Sequence, residues 1–349
     1  MKLAVTGASG YIGKRLVQAL CEDDRVERVL SFDTVPSPIS HPKLVFDSVD
    51  VRDPALETRF NGIDAVVHLA FVMNPIKDVA EMRDVNVNGS QNVFMCAGKA
   101  GVRKIVYTSS ATVYGAHPDN DRPLTEESPL RANLDFSYAA HKLEVEYVLK
   151  EFREEFTDVS LTILRPAIVF GPNVNNAWAH MLELPVLFTI QSHAAPLQFV
   201  HEDDVARALH KVTIEDAPGI YNLAAPGALE VDEILALLGR RSVELSEPVA
   251  FSIMDRMWSM GLAEAPAGML HYVMYPWVIS TEKLAEAGFK ATRSNRETFA
   301  EVAELARQHV RFGQRRVKRG DFVRGATAGI GLLGTAAALR VARRRRSDV

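Results

Sequence analysis

The chain has 349 residues, 47% of them hydrophobic and 24% charged, which is more than one average domain needs and excludes a protein disordered over most of its length. Its formal charge of -4 conceals an asymmetry: residues 313–349 carry ten Lys/Arg against two acids, so the remainder is strongly acidic. An acidic body argues against nucleic acid as the main ligand, because phosphate binding needs clustered cations. The two cysteines, Cys21 and Cys96, fall in segments read as helix and lack metal-ligand spacing, so no metal is expected and the cytoplasm is the expected compartment. The opening MKLAVTG enters a strand directly, and no secretory signal is expected.

Lys2 to Thr6 is a short apolar run ending at Gly7, which predicts a buried strand entering a turn. Tyr11 to Cys21 then carries Ile12, Leu16, Val17, Ala19 and Leu20 at helical spacing. The alternation continues with strands at Val29–Phe32, Lys43–Phe46, Ala65–Ala70, Val102–Ser109 and Ser160–Arg165, and with helices at Val79–Ala100 and Ser137–Glu154. Strands alternating with helices imply parallel pairing through right-handed crossovers, hence an α/β doubly wound sheet. After about Pro172 the rhythm loosens and prolines become frequent; helices at Val205–Ile214 and Val231–Leu238 alternate with irregular segments, and the MLELPVLF run breaks at Pro185. Such a region fits a smaller substrate lobe over the C-terminal edge of the sheet, where open α/β sheets bind ligands. The expected division is 1–171 for the dinucleotide-binding domain, 172–312 mainly for the substrate lobe, interleaved with the sheet, and 313–349 for a basic, Gly/Ala-rich tail.

Between the first strand and first helix stands TGASGYIG, with Gly7, Gly10 and Gly13. Glycines there let backbone N–H groups approach a pyrophosphate, and the helix N-terminus favours its charge. Asp33 ends the second strand about 20 residues later, where this fingerprint places an acid for a ribose hydroxyl. A carboxylate accepts from the free 2'-hydroxyl of NAD and repels a 2'-phosphate, so NAD is expected over NADP.

TSSATVYG, residues 108–115, follows an apolar run; its serine pair suits a nucleophile, a proton donor or a polar strand end. No Gly-x-Ser-x-Gly elbow surrounds Ser110, which argues against an acyl-type nucleophile. Tyr138 and Lys142 of YAAHK share one helix face at i and i+4. An ammonium near a phenol favours the phenolate, although alone this common spacing equally describes an amphipathic tyrosine and a solvated lysine.

Taken in order, the glycine turn, Asp33, TSSATVYG and YAAHK resemble the extended short-chain dehydrogenase/reductase superfamily in its NAD-dependent epimerase/dehydratase branch. Further matches are Asp50-Val51, His68-Leu69-Ala70, Asn86-Val87-Asn88-Gly89, Leu164-Arg165-Pro166, the segment Phe199–Ala206 and Thr281-Glu282-Lys283-Leu284, so the resemblance runs from Met1 to about Gln308. It implies a Rossmann sheet, NAD as cofactor and a catalytic triad of Ser110, Tyr138 and Lys142. In that triad Tyr138 exchanges the proton of a substrate hydroxyl, Lys142 holds the nicotinamide ribose, and Ser110 hydrogen-bonds the reacting oxygen. The implied cofactor contacts are Gly7, Gly10, Tyr11, Ile12, Gly13, Asp33, Asp50, Val51, Leu69, Ala70, Asn86, Tyr138, Lys142 and Pro166. The family's 4,6-dehydratases and decarboxylases carry acids in the two positions before Val-Tyr-Gly; here these are Ala111 and Thr112, as in a 4-epimerase.

The resemblance therefore implies an NAD-dependent epimerase or oxidoreductase of a secondary alcohol, with a nucleotide sugar as the family-typical substrate and a homodimer as the typical assembly. One departure points elsewhere: such enzymes commonly carry an arginine just before the Phe/Tyr-x-His segment to neutralise a diphosphate, and this chain has Leu197-Gln198-Phe199 and no arginine from Asn173 to Ala206. A dehydrogenase or ketoreductase of an apolar alcohol, of the hydroxysteroid or dihydroflavonol type, is thus the alternative. A non-catalytic dinucleotide sensor would be expected to have lost Tyr138 or Lys142. The tail's uncharged run, Gly325–Leu339, falls short of the roughly 20 residues a membrane span needs; its flanking arginines fit peripheral membrane contact through 315–346 as well as a solvated tail.

Overall fold

The computed structural model describes residues 1–319 apart from Pro185, Arg241 and 313–314, so most of the basic tail lies outside the described residues. Seven parallel strands form the central sheet: β1 (Lys2–Thr6), β2 (Arg28–Asp33), β3 (Leu44–Ser48), β4 (Ala65–His68), β5 (Lys104–Thr108), β6 (Ser160–Pro166) and β7 (Gly219–Leu223). Their order across the sheet is β7-β6-β5-β4-β1-β2-β3. The chain reverses direction between β1 and β4, which opens the crevice where doubly wound sheets bind dinucleotides.

Burial on both faces explains the strand sequences. Leu3, Ala4, Val5, Ala65, Val66, Val67, Ile105 and Val106 are fully buried, as parallel sheets covered by helices require. One face is packed by α1 (Tyr11–Glu22), which buries Leu16, Val17 and Leu20. The same layer holds the helix Glu202–Ile214, which buries Val205, Leu209 and Val212. The other face is packed by helices Gly89–Lys99 and Ser137–Glu155, with Val93, Phe94, Val145 and Leu149 in the core.

Two elements depart from the sequence-based expectation. The helix expected over Val79–Ala100 is divided: an α-helical Val79–Arg83, a π-helical turn Asp84–Asn88 and an α-helical Gly89–Lys99. A Cβ on Gly89 would lie 2.6 Å from Val51 Cγ2, so the segment after the π turn passes too close to the loop after β3 for a larger residue. The sheet also gains β7, more than forty residues past position 171, together with the helix Glu202–Ile214 that packs on α1.

The remaining residues form the smaller lobe. Paired short strands at Ile168–Phe170 and Phe199–His201, and at Leu187–Ile190 and Ser242–Leu245, are overlaid by helices Ala177–Leu182, Val231–Leu238, Glu247–Ser259 and Asn295–Gln308. Phe170, Phe199 and Phe299 stack at its centre. Among the described residues no helix is long and apolar enough to cross a membrane.

Candidate active site

A cleft of about 360 Å³ runs along the C-terminal edge of the sheet. Its wall follows the strand order: Asp50 and Val51 after β3, Asp33 and Thr34 at β2, the glycine turn after β1, Leu69 to Pro75 after β4, Thr108 to Ser110 at β5, and Pro166 at the end of β6. Phe136, at the start of the Ser137–Glu155 helix, and the lobe residues Trp178 and Trp277 close it.

At one end the backbone makes the site. Gly7 has φ +68°, and a Cβ there would meet Ala70 N at 2.5 Å; a Cβ on Gly13 would meet Gly7 O at 2.2 Å. Only glycine permits this contact between turn, helix and neighbouring strand, and the resulting cradle leaves main-chain N–H groups at the start of α1 facing the cleft. Asp33 is fixed by two backbone donors, Ser9 N to Oδ2 at 3.0 Å and Val35 N to Oδ1 at 3.1 Å, leaving lone pairs on each oxygen for ribose hydroxyls. The Arg52 guanidinium beside Asp50 holds its carboxyl below the usual range. Tyr11 lines the turn with its phenol buried; desolvation and the adjacent Glu202 carboxylate keep it neutral far above the ordinary tyrosine range.

At the other end side chains dominate. The Ser137–Glu155 helix sets Tyr138 and Lys142 toward the end of β5, and Ser110 follows that strand in extended conformation. Ser110 Oγ accepts from Thr112 N at 3.2 Å and Thr112 Oγ1 at 3.0 Å, and Ser110 lines the cleft together with Tyr138. Burial pushes Tyr138 up to about 12, with the nearby Ser110 hydroxyl pulling the other way. Lys142 donates to Thr108 O at 2.7 Å, and burial lowers it to about 7, opposed by Glu146. Its Nζ stands 6.0 Å from the Tyr138 ring centre.

Beneath this end lies a buried polar network. Arg165, 2% exposed, makes two bonds to Glu146, Nε to Oε1 at 2.9 Å and Nη2 to Oε2 at 2.5 Å, and its Nη1 donates to Tyr114 Oη at 2.8 Å. Glu146 also accepts from Ser109 Oγ at 2.5 Å, and Tyr114 Oη donates to Asn222 of β7 at 2.7 Å. The network ties the strand end carrying Ser109 and Ser110 to the helix carrying Tyr138 and Lys142.

Every residue named from sequence for cofactor or catalysis lines the cleft except Asn86. Asn86 is fully buried one layer back: its Oδ1 accepts from Val72 N at 2.6 Å and its Nδ2 donates to Val72 O at 3.1 Å. In the structure it supports the loop after β4. Phe71, Phe136 and Trp178 are wall residues that motif reading passed over. A signal for Phe71 lay in plain view, since it directly follows His68-Leu69-Ala70.

The model of the NAD-dependent epimerase/dehydratase family matches residues 3–224, more than half of the chain. The chain belongs to that family. It is therefore an NAD-dependent enzyme of the extended short-chain dehydrogenase/reductase type, and the glycine cradle and the Asp33 oxygens fit the cofactor. This family member is similar to an uncharacterized protein of Mycobacterium tuberculosis, at 27% identity over 305 residues, covering 84% of this chain and 81% of the relative. It is 34% identical over 168 residues to the N-acetyl-alpha-D-glucosaminyl-diphospho-ditrans,octacis-undecaprenol 4-epimerase of Escherichia coli O157:H7, covering 47% of this chain and 48% of that protein. The dTDP-glucose 4,6-dehydratase DesIV of Streptomyces venezuelae shares the fold at TM-score 0.68 and 24% identity, covering 88% of this chain and 97% of its own.

Proposed function

We propose that this family member oxidises a secondary alcohol of a sugar substrate and returns the hydride to the same carbon, as a 4-epimerase does, with Ser110, Tyr138 and Lys142 as its catalytic residues. The observation that carries the reading is one cleft with the glycine cradle and Asp33 at one end and Ser110, Tyr138 and Lys142 together at the other. Bound NAD supplies a hydride acceptor at its nicotinamide.

Burial favours the neutral phenol of Tyr138, the form that gives a proton back to the reacting oxygen. Positive charge near the phenol favours its ionised form, so Lys142 in its ammonium state lowers the cost of the phenolate, the form of Tyr138 that accepts the substrate hydroxyl's proton and thereby becomes the neutral phenol. Ser110, itself held by Thr112, orients the shared oxygen. The surrounding aromatic wall excludes water that would screen these charges.

Elimination is disfavoured by composition of the wall. Among the described residues lining the cleft the carboxylates are Asp33 and Asp50, both at the cradle end, while Ala111 is buried and Thr112 is spent on Ser110. The catalytic end thus lacks the extra acid that dehydration needs, and the likeness to a dehydratase at 24% identity concerns the fold.

A nucleotide sugar is the family-typical substrate. A second reading, an alcohol on a less charged or lipid-linked molecule, is favoured by the missing cation: Lys142 is the one Lys/Arg lining the cleft among the described residues. Where an arginine is usual, Leu197 pairs its backbone with Leu229, and Gln198 is consumed by Ala225 O and Ile279 O. The E. coli relative is named for a sugar on a lipid diphosphate, which keeps the diphosphate of the first reading and makes a lipid-linked sugar worth testing beside a nucleotide sugar. We further propose a homodimer, for which the half-exposed Tyr147 on the outer face of the catalytic helix offers a contact.

Mass spectrometry of ligands released from the purified full-length protein, followed by incubation with UDP-N-acetylglucosamine or its lipid-diphosphate counterpart, tests the function. The epimerase reading expects retained NAD and an inverted sugar with no net change at 340 nm. Stoichiometric consumption of added NAD identifies a dehydrogenase instead.

A further inference from the structure

Lys142 is 4% exposed and makes no ion pair among the described residues. Glu146, one helical turn away, is committed through both oxygens to Arg165 and Ser109. A buried ammonium without a carboxylate partner ordinarily loses its proton. Three groups oppose this loss: the Thr108 carbonyl at 2.7 Å, Tyr107, whose hydroxyl accepts at 3.4 Å and whose ring centre lies 4.9 Å away, and, nearest of the ring faces, Phe71, whose ring centre lies 3.6 Å from Nζ. The Phe71 ring also packs edge-to-face on Tyr138 at 5.7 Å and lines the cleft.

We propose that Phe71 is a positioning residue for Lys142: its ring face, standing where a carboxylate would be expected, holds the buried ammonium charged and aimed along the cleft toward Tyr138. The proposal rests on the proton-relay reading of Tyr138 and Lys142. The choice of an aromatic partner has a chemical consequence. A carboxylate would retain the proton more strongly yet cancel the positive field at the phenol, whereas the ring quadrupole stabilises the cation without neutralising it. The full charge then remains available to stabilise the Tyr138 phenolate.

The other groups facing Lys142 supply no charge of their own at neutral pH. Tyr107 from β5, whose hydroxyl is 3.4 Å from Nζ, is raised well above its ordinary value by burial. Tyr138 on the same helix is pushed to about 12, and burial holds His68 of β4 down to about 3. Glu146 acts at longer range from within its pair with Arg165.

The test uses the full-length chain without added cofactor. Lys142 is modified with formaldehyde and cyanoborohydride between pH 5.5 and 9.5, and the rate is followed on its peptide by mass spectrometry; reaction requires the neutral amine. In Phe71→Leu, which keeps the apolar bulk but removes the ring, the midpoint of the rate profile should fall by roughly one pH unit, the size of a desolvated cation–π contact. Phe71→Trp should restore it to the wild-type value or above. A role in packing alone changes the rate equally at every pH and leaves the midpoint in place. An unchanged midpoint in Phe71→Leu, or a Phe71→Trp midpoint below wild type, overturns the proposal; if Phe71→Leu does not fold, the Trp variant decides alone. A parallel NAD titration keeps the two readings separate: wild-type protein that binds no NAD contradicts the proposed function and leaves the midpoint result standing.

Discussion

The two ends of the cleft solve opposite physical problems. At the cradle end, negative charge must be received, and the protein uses main-chain N–H groups, glycines that admit close approach, and two carboxylates that remain within reach of water. At the catalytic end a positive charge must persist in a buried site, and the protein surrounds it with a carbonyl, aromatic faces and phenols held neutral by burial. The difference teaches that the cradle end relies on backbone shape, which tolerates exposure, while the chemistry proposed for the other end depends on desolvated side chains, which do not.

Tyr138→Phe should break the comparison most sharply. Hydride transfer should fall by about 10²–10⁴-fold, the usual contribution of a positioned proton donor, while calorimetry finds NAD affinity within about threefold of wild type, a margin under 1 kcal/mol. Retained turnover would remove Tyr138 from the mechanism. Next in size is Arg165→Met, which leaves Glu146 buried without its partner; urea unfolding should show a loss of about 3–5 kcal/mol. A loss below about 1 kcal/mol would mean that the network does not anchor this end.

Asp33→Asn acts at the opposite end. It should weaken NAD binding by about tenfold, the size of one charge-assisted hydrogen bond, and narrow the discrimination against NADP, with no change in the melting temperature expected of a buried-charge defect. The smallest effect is one of pH. Lys142 titrates at about 7 when folded and near the ordinary lysine value when unfolded, so above pH 7 the unfolded chain holds a proton that the folded one has released. Stability referred to this group therefore rises from about pH 7 toward 10.5. The urea midpoint of wild type relative to Lys142→Met should increase between pH 7 and 9; a flat difference would place the ammonium in contact with water.

Much of the cradle end was legible in the sequence because it depends on chain direction and residue type. A glycine triplet between a buried strand and a helix, with an acid at the end of the next strand, fixes which atoms face the cleft. At the other end Ser110, Tyr138 and Lys142 were legible as one group, and their surroundings were opaque. Phe71 and Phe136 read as ordinary apolar residues, and their meaning comes from where the sheet order brings β4 beside β5. Asn86 lies in the π turn, which rotates its side chain to the Val72 backbone instead of the cleft, and no apolar periodicity marks that turn. The strand Gly219–Leu223 escaped notice because Gly219 opens it at φ +139° and Asn222 interrupts its apolar run. That asparagine is nevertheless fully buried, since it accepts from Tyr114 within the network. The lobe's helix Val231–Leu238 was legible from its spacing, whereas its short strands, paired across long sequence separations, have no local pattern to read.

The central claim is that this cleft is an NAD site whose acid at position 33 selects the cofactor. Calorimetric titration of the full-length protein with NAD and with NADP tests it most directly. The account predicts NAD binding at least about tenfold tighter, as one charge-assisted hydrogen bond exchanged for a repelled phosphate requires. NADP bound as tightly as NAD, or more tightly, would contradict it.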